Sequence, residues 1–132
     1  MLGTPVDVKE IFSYRDNLNI SHAIKTGNTI YISGQVALDP DGNLVGDGDI
    51  EAQADHIWGN IRKVLQAAGS DLDDVVKIFQ FVVGAENFQG MVAARRRVLG
   101  TDPLPCSTAI VVSGLFRPDL LLEIDVIAIV KE

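Results

Sequence analysis

Cysteine occurs once, at Cys106, and histidine only at His22 and His56. One thiol cannot close an intrachain disulfide, and one cysteine with two histidines cannot build a cysteine-rich zinc site. No metal is expected. Basic residues are also scarce: 11 Lys and Arg against 18 Asp and Glu leave a net charge of −7. Nucleic-acid binding rests on basic patches that displace phosphate counterions, so this balance argues against it as the main task. No apolar stretch reaches the ~18 residues of a membrane span. The longest, at 120–130, is broken by Glu123 and Asp125. The opening MLGTPVDVKE lacks the basic-then-apolar pattern of a secretory signal. There is no GxxxxGK[ST], no GxGxxG after a strand and no Gly-x-Ser-x-Gly elbow, so phosphate-cradling loops and a Ser-His-Asp hydrolase are not expected. Asn19-Ile20-Ser21 has the form of a glycosylation acceptor and reads as coincidence without a signal segment. The expectation is a cytoplasmic protein, acting in a reducing compartment and binding neither membrane nor nucleic acid.

What is present is a globular pattern. At 132 residues with 47% hydrophobic and 22% charged residues, residues 1–132 read as one domain with its own core. Ile50, Ala54, Ile57, Trp58, Ile61, Val64, Leu65 and Ala68 recur at three- and four-residue spacing, which predicts a helix. Asp47 or Asp49 can cap its start, and Gly69 can close it. A second helix is predicted over 87–99, although Gly90 lies inside it. Strands are predicted at 21–25 and 29–33, joined by the hairpin loop Thr26-Gly27-Asn28, and at 75–83, 107–112 and 120–130. A weaker first strand is predicted at 11–14. The order β-β-β-α-β-α-β-β describes an α+β fold, a mixed sheet with two helices packed on one face.

The last strand has two distinct sides. Leu120, Leu122, Ile124, Val126, Ala128 and Val130 alternate with Leu121, Glu123, Asp125, Ile127 and Ile129. The first set is wholly apolar and should receive the helices. The second mixes aliphatics with two carboxylates, and the strand VVKIFQFVV is also apolar on both sides. A solvent-facing sheet side should read polar, so this side is expected to be covered by copies of the same chain. Carboxylates beside such an interface would be partly desolvated.

Ser21-His22-Ala23-Ile24-Lys25, followed by Gly27-Asn28-Thr29-Ile30-Tyr31-Ile32-Ser33-Gly34-Gln35, resembles the opening of the RidA/YjgF family. Ala67-Ala68-Gly69 with Asp74-Val75-Val76-Lys77 is similar to its helix-to-strand passage. The segment from Arg117-Pro118-Asp119 through Glu123-Ile124-Asp125 to Ile129 resembles its most characteristic stretch. The resemblance runs from about residue 18 to the C-terminus. It implies a chorismate-mutase-like fold and a homotrimer with small-molecule pockets at the subunit interfaces. It also implies cofactor-free hydrolysis of enamines and imines to 2-keto acids and ammonia.

Carried over by position, the family's water-positioning glutamate falls on Glu123, and its serine-glycine pair on Ser33 and Gly34. The carboxylate-binding arginine of its Pro-x-Arg pattern falls on Ser107, in Pro105-Cys106-Ser107-Thr108, with Ala109 next along the same side of the strand. The pocket tyrosine falls on Ile20. A guanidinium grips a carboxylate through two charge-assisted hydrogen bonds, each roughly twice as strong as a neutral one; a serine offers one neutral hydroxyl. Arg95, on the second helix, and His22 are therefore the candidates to supply the missing polar contacts. Other readings stay open: Glu123 as a carboxylate paired across an interface, Asp125 as an ion-pair or rim residue, Arg95-Arg96-Arg97 as a solvated helix face. His56 reads as a solvated or helix-packing residue and Cys106 as a small buried one.

Overall fold

The computed structural model describes residues 1–131. The chain opens with β1 (Thr4–Val6) and a short helix α1 (Tyr14–Leu18), then the hairpin β2 (Ala23–Thr26) and β3 (Thr29–Gln35). Helix α2 (Ile50–Ala67), β4 (Val75–Val83), α3 (Phe88–Leu99), β5 (Cys106–Val112) and β6 (Leu122–Ile129) follow. The strands form one sheet in the order β1-β2-β3-β6-β4-β5. β4 and β5 run parallel, with α3 as the crossover that a parallel pair requires; every other pairing is antiparallel.

Both long helices start and stop for local reasons. The Asp49 side chain accepts from the Ala52 N–H and caps α2. Just past its end, Gly69 takes φ +85°, a backbone angle that costs a residue with a Cβ more than glycine. The apolar stripe of α2, including Ile57, Ile61 and Leu65, lies against Leu122, Ile124 and Val126 of β6 in one core, which Met91 and Ala94 of α3 join.

One predicted element lies elsewhere. The first strand is at Thr4–Val6, not at 11–14, and Tyr14 begins α1 under a Ser13 cap whose hydroxyl accepts from the Asp16 N–H. The physical reason is the burial spacing. Val8, Ile11 and Tyr14 are buried at intervals of three, which anchors an irregular segment to the core and cannot be satisfied by the two-residue period of a strand.

The two sides of β6 separate as their residues require. Leu122, Ile124, Val126 and Ala128 are buried under the helices, whereas Leu120, just before the strand, is buried in a second, smaller cluster with Val36 and Leu38. The opposite side carries Glu123, Asp125, Ile127 and Ile129, with Tyr31 of β3 paired to Ile127 and Phe81 of β4 paired to Glu123. No element of the chain covers it among the described residues: Tyr31 is 49% exposed and Ile129 43%.

Candidate functional site

The site is organised by an irregularity in β3. Ile32 pairs with Val126 and Gln35 with Ile124, so three steps on β3 match two on β6 and the extra residue falls at Ser33-Gly34. Such a bulge bends a strand and re-aims its side chains. It is pinned from the hairpin side. The Ser33 N–H donates to the His22 carbonyl at 2.9 Å, and its Oγ donates to the Ser21 carbonyl at 2.8 Å. Gln35 Nε2 donates to the Ser33 carbonyl at 3.2 Å, and the Tyr14 hydroxyl donates to the Gly34 carbonyl at 2.6 Å.

Glu123 lies directly against the bulge. A Cβ built on Gly34 would fall 2.8 Å from Glu123 Cδ and closer still to Oε2, so only glycine leaves room for this carboxylate. Among the described residues no side-chain donor or cation reaches Glu123. Burial, and then the Asp125 carboxylate, push its pKa up; burial alone does so for Asp125. A half-buried acid held above the usual carboxylate range can exchange protons nearer neutrality than an exposed one.

This shift has a consequence for stability. The folded chain holds the Glu123 proton more tightly than the unfolded chain does. Glu123 therefore opposes folding increasingly as pH rises from the unfolded value through the folded one, and not at all below both. E123Q should raise the thermal midpoint at pH 7 and leave it unchanged at pH 3, as read by calorimetry. A lowered midpoint at pH 7 would mean instead that the carboxylate is paired across an interface.

Ser107 and Ala109 are on the other side of the sheet. They pair with Ile78 and Gln80 of β4, whose side chains face the helices. Ser107 Oγ accepts from Gln80 Nε2 at 2.9 Å and from Arg95 Nη1 at 3.3 Å. With both lone pairs engaged, the hydroxyl proton of Ser107 is left to donate elsewhere. A cleft of about 260 Å³ opens here, with Arg95, Arg96, Thr101 and Ser107 among apolar Val92, Leu99 and Leu104. Burial, and then Arg96, lower the pKa of Arg95. No carboxylate meets it among the described residues, whereas Arg97 is tied to Glu51 and Asp55. A half-desolvated guanidinium without a counter-charge favours an anion.

The remaining candidates separate as clearly. His22 is buried and both ring nitrogens are engaged: Nδ1 accepts from the Val8 N–H at 3.0 Å, so Nε2 carries the proton and donates to the Phe12 carbonyl at 2.8 Å. It has no nitrogen left for a ligand. Ile20 is exposed beyond α1 and contributes no polar atom. His56 Nε2 packs at 2.8 Å on the Leu38 carbonyl. Cys106 is exposed rather than buried, because it stands at the start of an edge strand on the uncovered side, opposite Lys77. Two residues of the arrangement escaped the sequence reading. Gln80 had a legible signal, as the one polar residue at core-facing parity in VVKIFQFVV; Tyr14 had none beyond the Ser13 cap. No cluster of three or more His, Cys, Asp or Glu side chains able to hold a metal occurs among the described residues. Nor is any described helix long and apolar enough to cross a membrane.

The family model described as Endoribonuclease L-PSP matches residues 16–130. A RutC family protein of Saccharolobus solfataricus is 39% identical over 108 residues, covering 82% of this chain and 84% of the relative. One of Pyrococcus abyssi is 35% identical over the same length and shares. The crystal structure of RidA from the Antarctic bacterium Psychrobacter sp. PAMC 21119 superposes with a TM-score of 0.87 at 29% identity, over 96% of this chain and 99% of that one. Yeast Mmf1 superposes with a TM-score of 0.88 at 29% identity, over 98% and 99%. The chain belongs to the RidA/YjgF family. Its mixed sheet with α2 and α3 on one face is the family's chorismate-mutase-like fold. The RidA/YjgF likeness spans both halves of the arrangement, the Ser33-Gly34 bulge with Glu123 and the Ser107 end of β5.

Proposed function

We propose that this chain is a cofactor-free deaminase that hydrolyses a small enamine or imine, working as a single-domain homotrimer in the cytoplasm. The observation that carries the proposal is Glu123: half-buried, unpaired, and lodged against a glycine bulge on an open sheet face. Family membership supports a small-molecule deaminase or metabolite-binding role.

The chemistry asks for little machinery. The substrate reacts as its protonated imine, which an enamine becomes by taking a proton from solvent at carbon. A water oxygen bonds to the C=N carbon while the π pair moves to nitrogen, and Glu123 accepts the water proton. The same acid then returns that proton to the amine nitrogen, a hydroxyl lone pair closes the C=O bond as the C–N bond breaks, and the hydroxyl proton passes to the departing ammonia, leaving a carbonyl compound and ammonium. General acid–base assistance of this kind contributes typically ~10²–10⁴-fold. Orientation of the water between the carboxylate and the substrate supplies the rest.

Glu123 and the Arg95–Ser107 pair lie on opposite sides of one sheet. A ligand touching both must therefore sit between two copies of the chain, with Glu123 from one and the cation from the other. In this arrangement Arg95 and the Ser107 hydroxyl hold the substrate carboxylate, with Ala109 leaving space beside them. Truncating one charged partner of such a contact costs roughly 1.5–3 kcal/mol, a factor of about 10–100 in affinity. R95A should weaken binding of a small 2-keto acid by that factor in titration calorimetry while the trimer persists in sedimentation. Unchanged affinity would remove Arg95 from the site.

A second reading, a metabolite-binding or protein-protecting trimer without catalysis, is favoured by Ser107 standing where the family pattern has arginine. Hydrolysis of 2-aminoacrylate, followed by ammonia release beside the calorimetry, separates the two: turnover supports the deaminase, binding without turnover the second. The ribonuclease in the family model's description is a poorer fit, since a net charge of −7 opposes a phosphate backbone.

A further inference from the structure

We infer that Tyr14 is a positioning residue for Glu123, its hydroxyl fixing the Gly34 peptide that walls the carboxylate. The inference rests on Glu123 as the reacting acid and extends the site to a segment outside the sheet.

Tyr14 is buried and its ring has little freedom. It meets Phe12 edge-on at 6.1 Å between centroids and tilts over His22 at 4.9 Å. His22 is itself held between the Val8 N–H and the Phe12 carbonyl. The phenol therefore reaches Gly34 from a braced platform, and at 2.6 Å its bond is short even for O–H···O geometry. Gly34 needs that bond. It lies between Ile32 and Gln35, the two points where β3 keeps register with β6, and the register gives it no partner residue on β6, which makes a donor from outside the sheet valuable to its carbonyl. Tyr14 supplies it. Without the hydroxyl the Gly34 peptide is free to turn towards water, and Glu123, resting on it, loses its fixed wall.

Tyr14 is not a proton-transfer group in its own right. Burial, and then the charge of Glu123, push its pKa above the usual tyrosine range, so it stays a neutral donor wherever Glu123 works. The other ionisable groups at this place are His22, with both ring nitrogens engaged by backbone groups, and Asp125 beside Glu123 on the same strand face. Neither offers Gly34 a donor.

The test uses the full chain labelled with carboxyl-¹³C glutamate, the Glu123 resonance being assigned by its loss in E123Q. In the wild type this resonance should titrate above the other glutamates. In Y14F, which keeps the ring, water admitted at the bulge should move the midpoint down towards theirs and shift the amide resonances of 33–35. Turnover of 2-aminoacrylate should fall roughly tenfold in kcat with KM little changed, as expected when a positioned group loosens by a fraction of an ångström. Y14M gives the same readings should the phenylalanine variant not fold. A lowered thermal midpoint with the Glu123 titration and the 33–35 amides unmoved would overturn the inference, leaving Tyr14 a packing residue. A wild type with no turnover would instead sink the deaminase reading, and the titration would still decide Tyr14.

Discussion

E123A and E123Q should each reduce hydrolysis of 2-aminoacrylate by ~10²–10⁴-fold, the range for removing a general acid–base group. Both should keep the proposed oligomer. Glu123 shares its sheet side with Phe79, Phe81, Ile110, Leu121, Ile127 and Tyr31 as well as Asp125 and Lys77, so the proposed association through that side would depend on its apolar area more than on this one half-buried charge. The glutamine variant is the sharper of the two. It preserves shape and hydrogen-bonding capacity, so a lost rate isolates proton transfer from packing. Ammonia release gives the rate and sedimentation gives the oligomer. A full rate in E123Q would place the chemistry on another group.

The fold was readable because its two periodicities are strong. Helix α2 has apolar residues at every third or fourth position, and β6 alternates without a break, so both elements and their buried sides follow from the sequence. The open side of the sheet was readable for the same reason, since Ile127 and Ile129 stand where a solvated strand would be polar. Residues 7–20 were not readable. Their burial comes from three anchors on an irregular path, Val8, Ile11 and Tyr14, and hydrophobic alternation has nothing to say about such a path. The site divides along the same line. Glu123 and Ser33-Gly34 are legible through the family resemblance alone, because β3 and β6 are far apart in the chain and only their pairing across the bulge brings these residues together. That Arg95 turns to Ser107 depends on how α3 crosses over β4 and β5. The family resemblance makes His22 a pocket candidate, yet the ring turns inward, where two backbone groups need it. Polar side chains near a site are contested by the fold's own unsatisfied donors and acceptors, and a linear sequence does not show which claim prevails.

G34A should separate activity from stability more cleanly than any other single change. The Gly34 backbone is outside the positive-φ region, so alanine meets no conformational penalty there. The nearest atoms an added Cβ would meet all belong to the Glu123 side chain, which can swing aside into the open face of the sheet. Moving Glu123 off its preferred rotamer costs of order 0.5–1.5 kcal/mol. Replacing glycine reduces the freedom of the unfolded chain and returns ~0.4–1 kcal/mol. The denaturant midpoint should therefore barely move, whereas truncating a buried residue such as Ile57 to alanine would cost about 2–5 kcal/mol. Activity should not survive as well: displacing a reacting group by about an ångström can cost ~10²-fold. The double variant closes the argument. In E123A there is no carboxylate for the new methyl group to displace, so adding G34A should lower the residual rate no further and should slightly raise stability. The two substitutions are then strongly non-additive in rate, as contact between them requires. Near-wild-type turnover in G34A, or additive losses in the pair, would mean that the wall of glycine beside Glu123 does not set the position of the reacting acid.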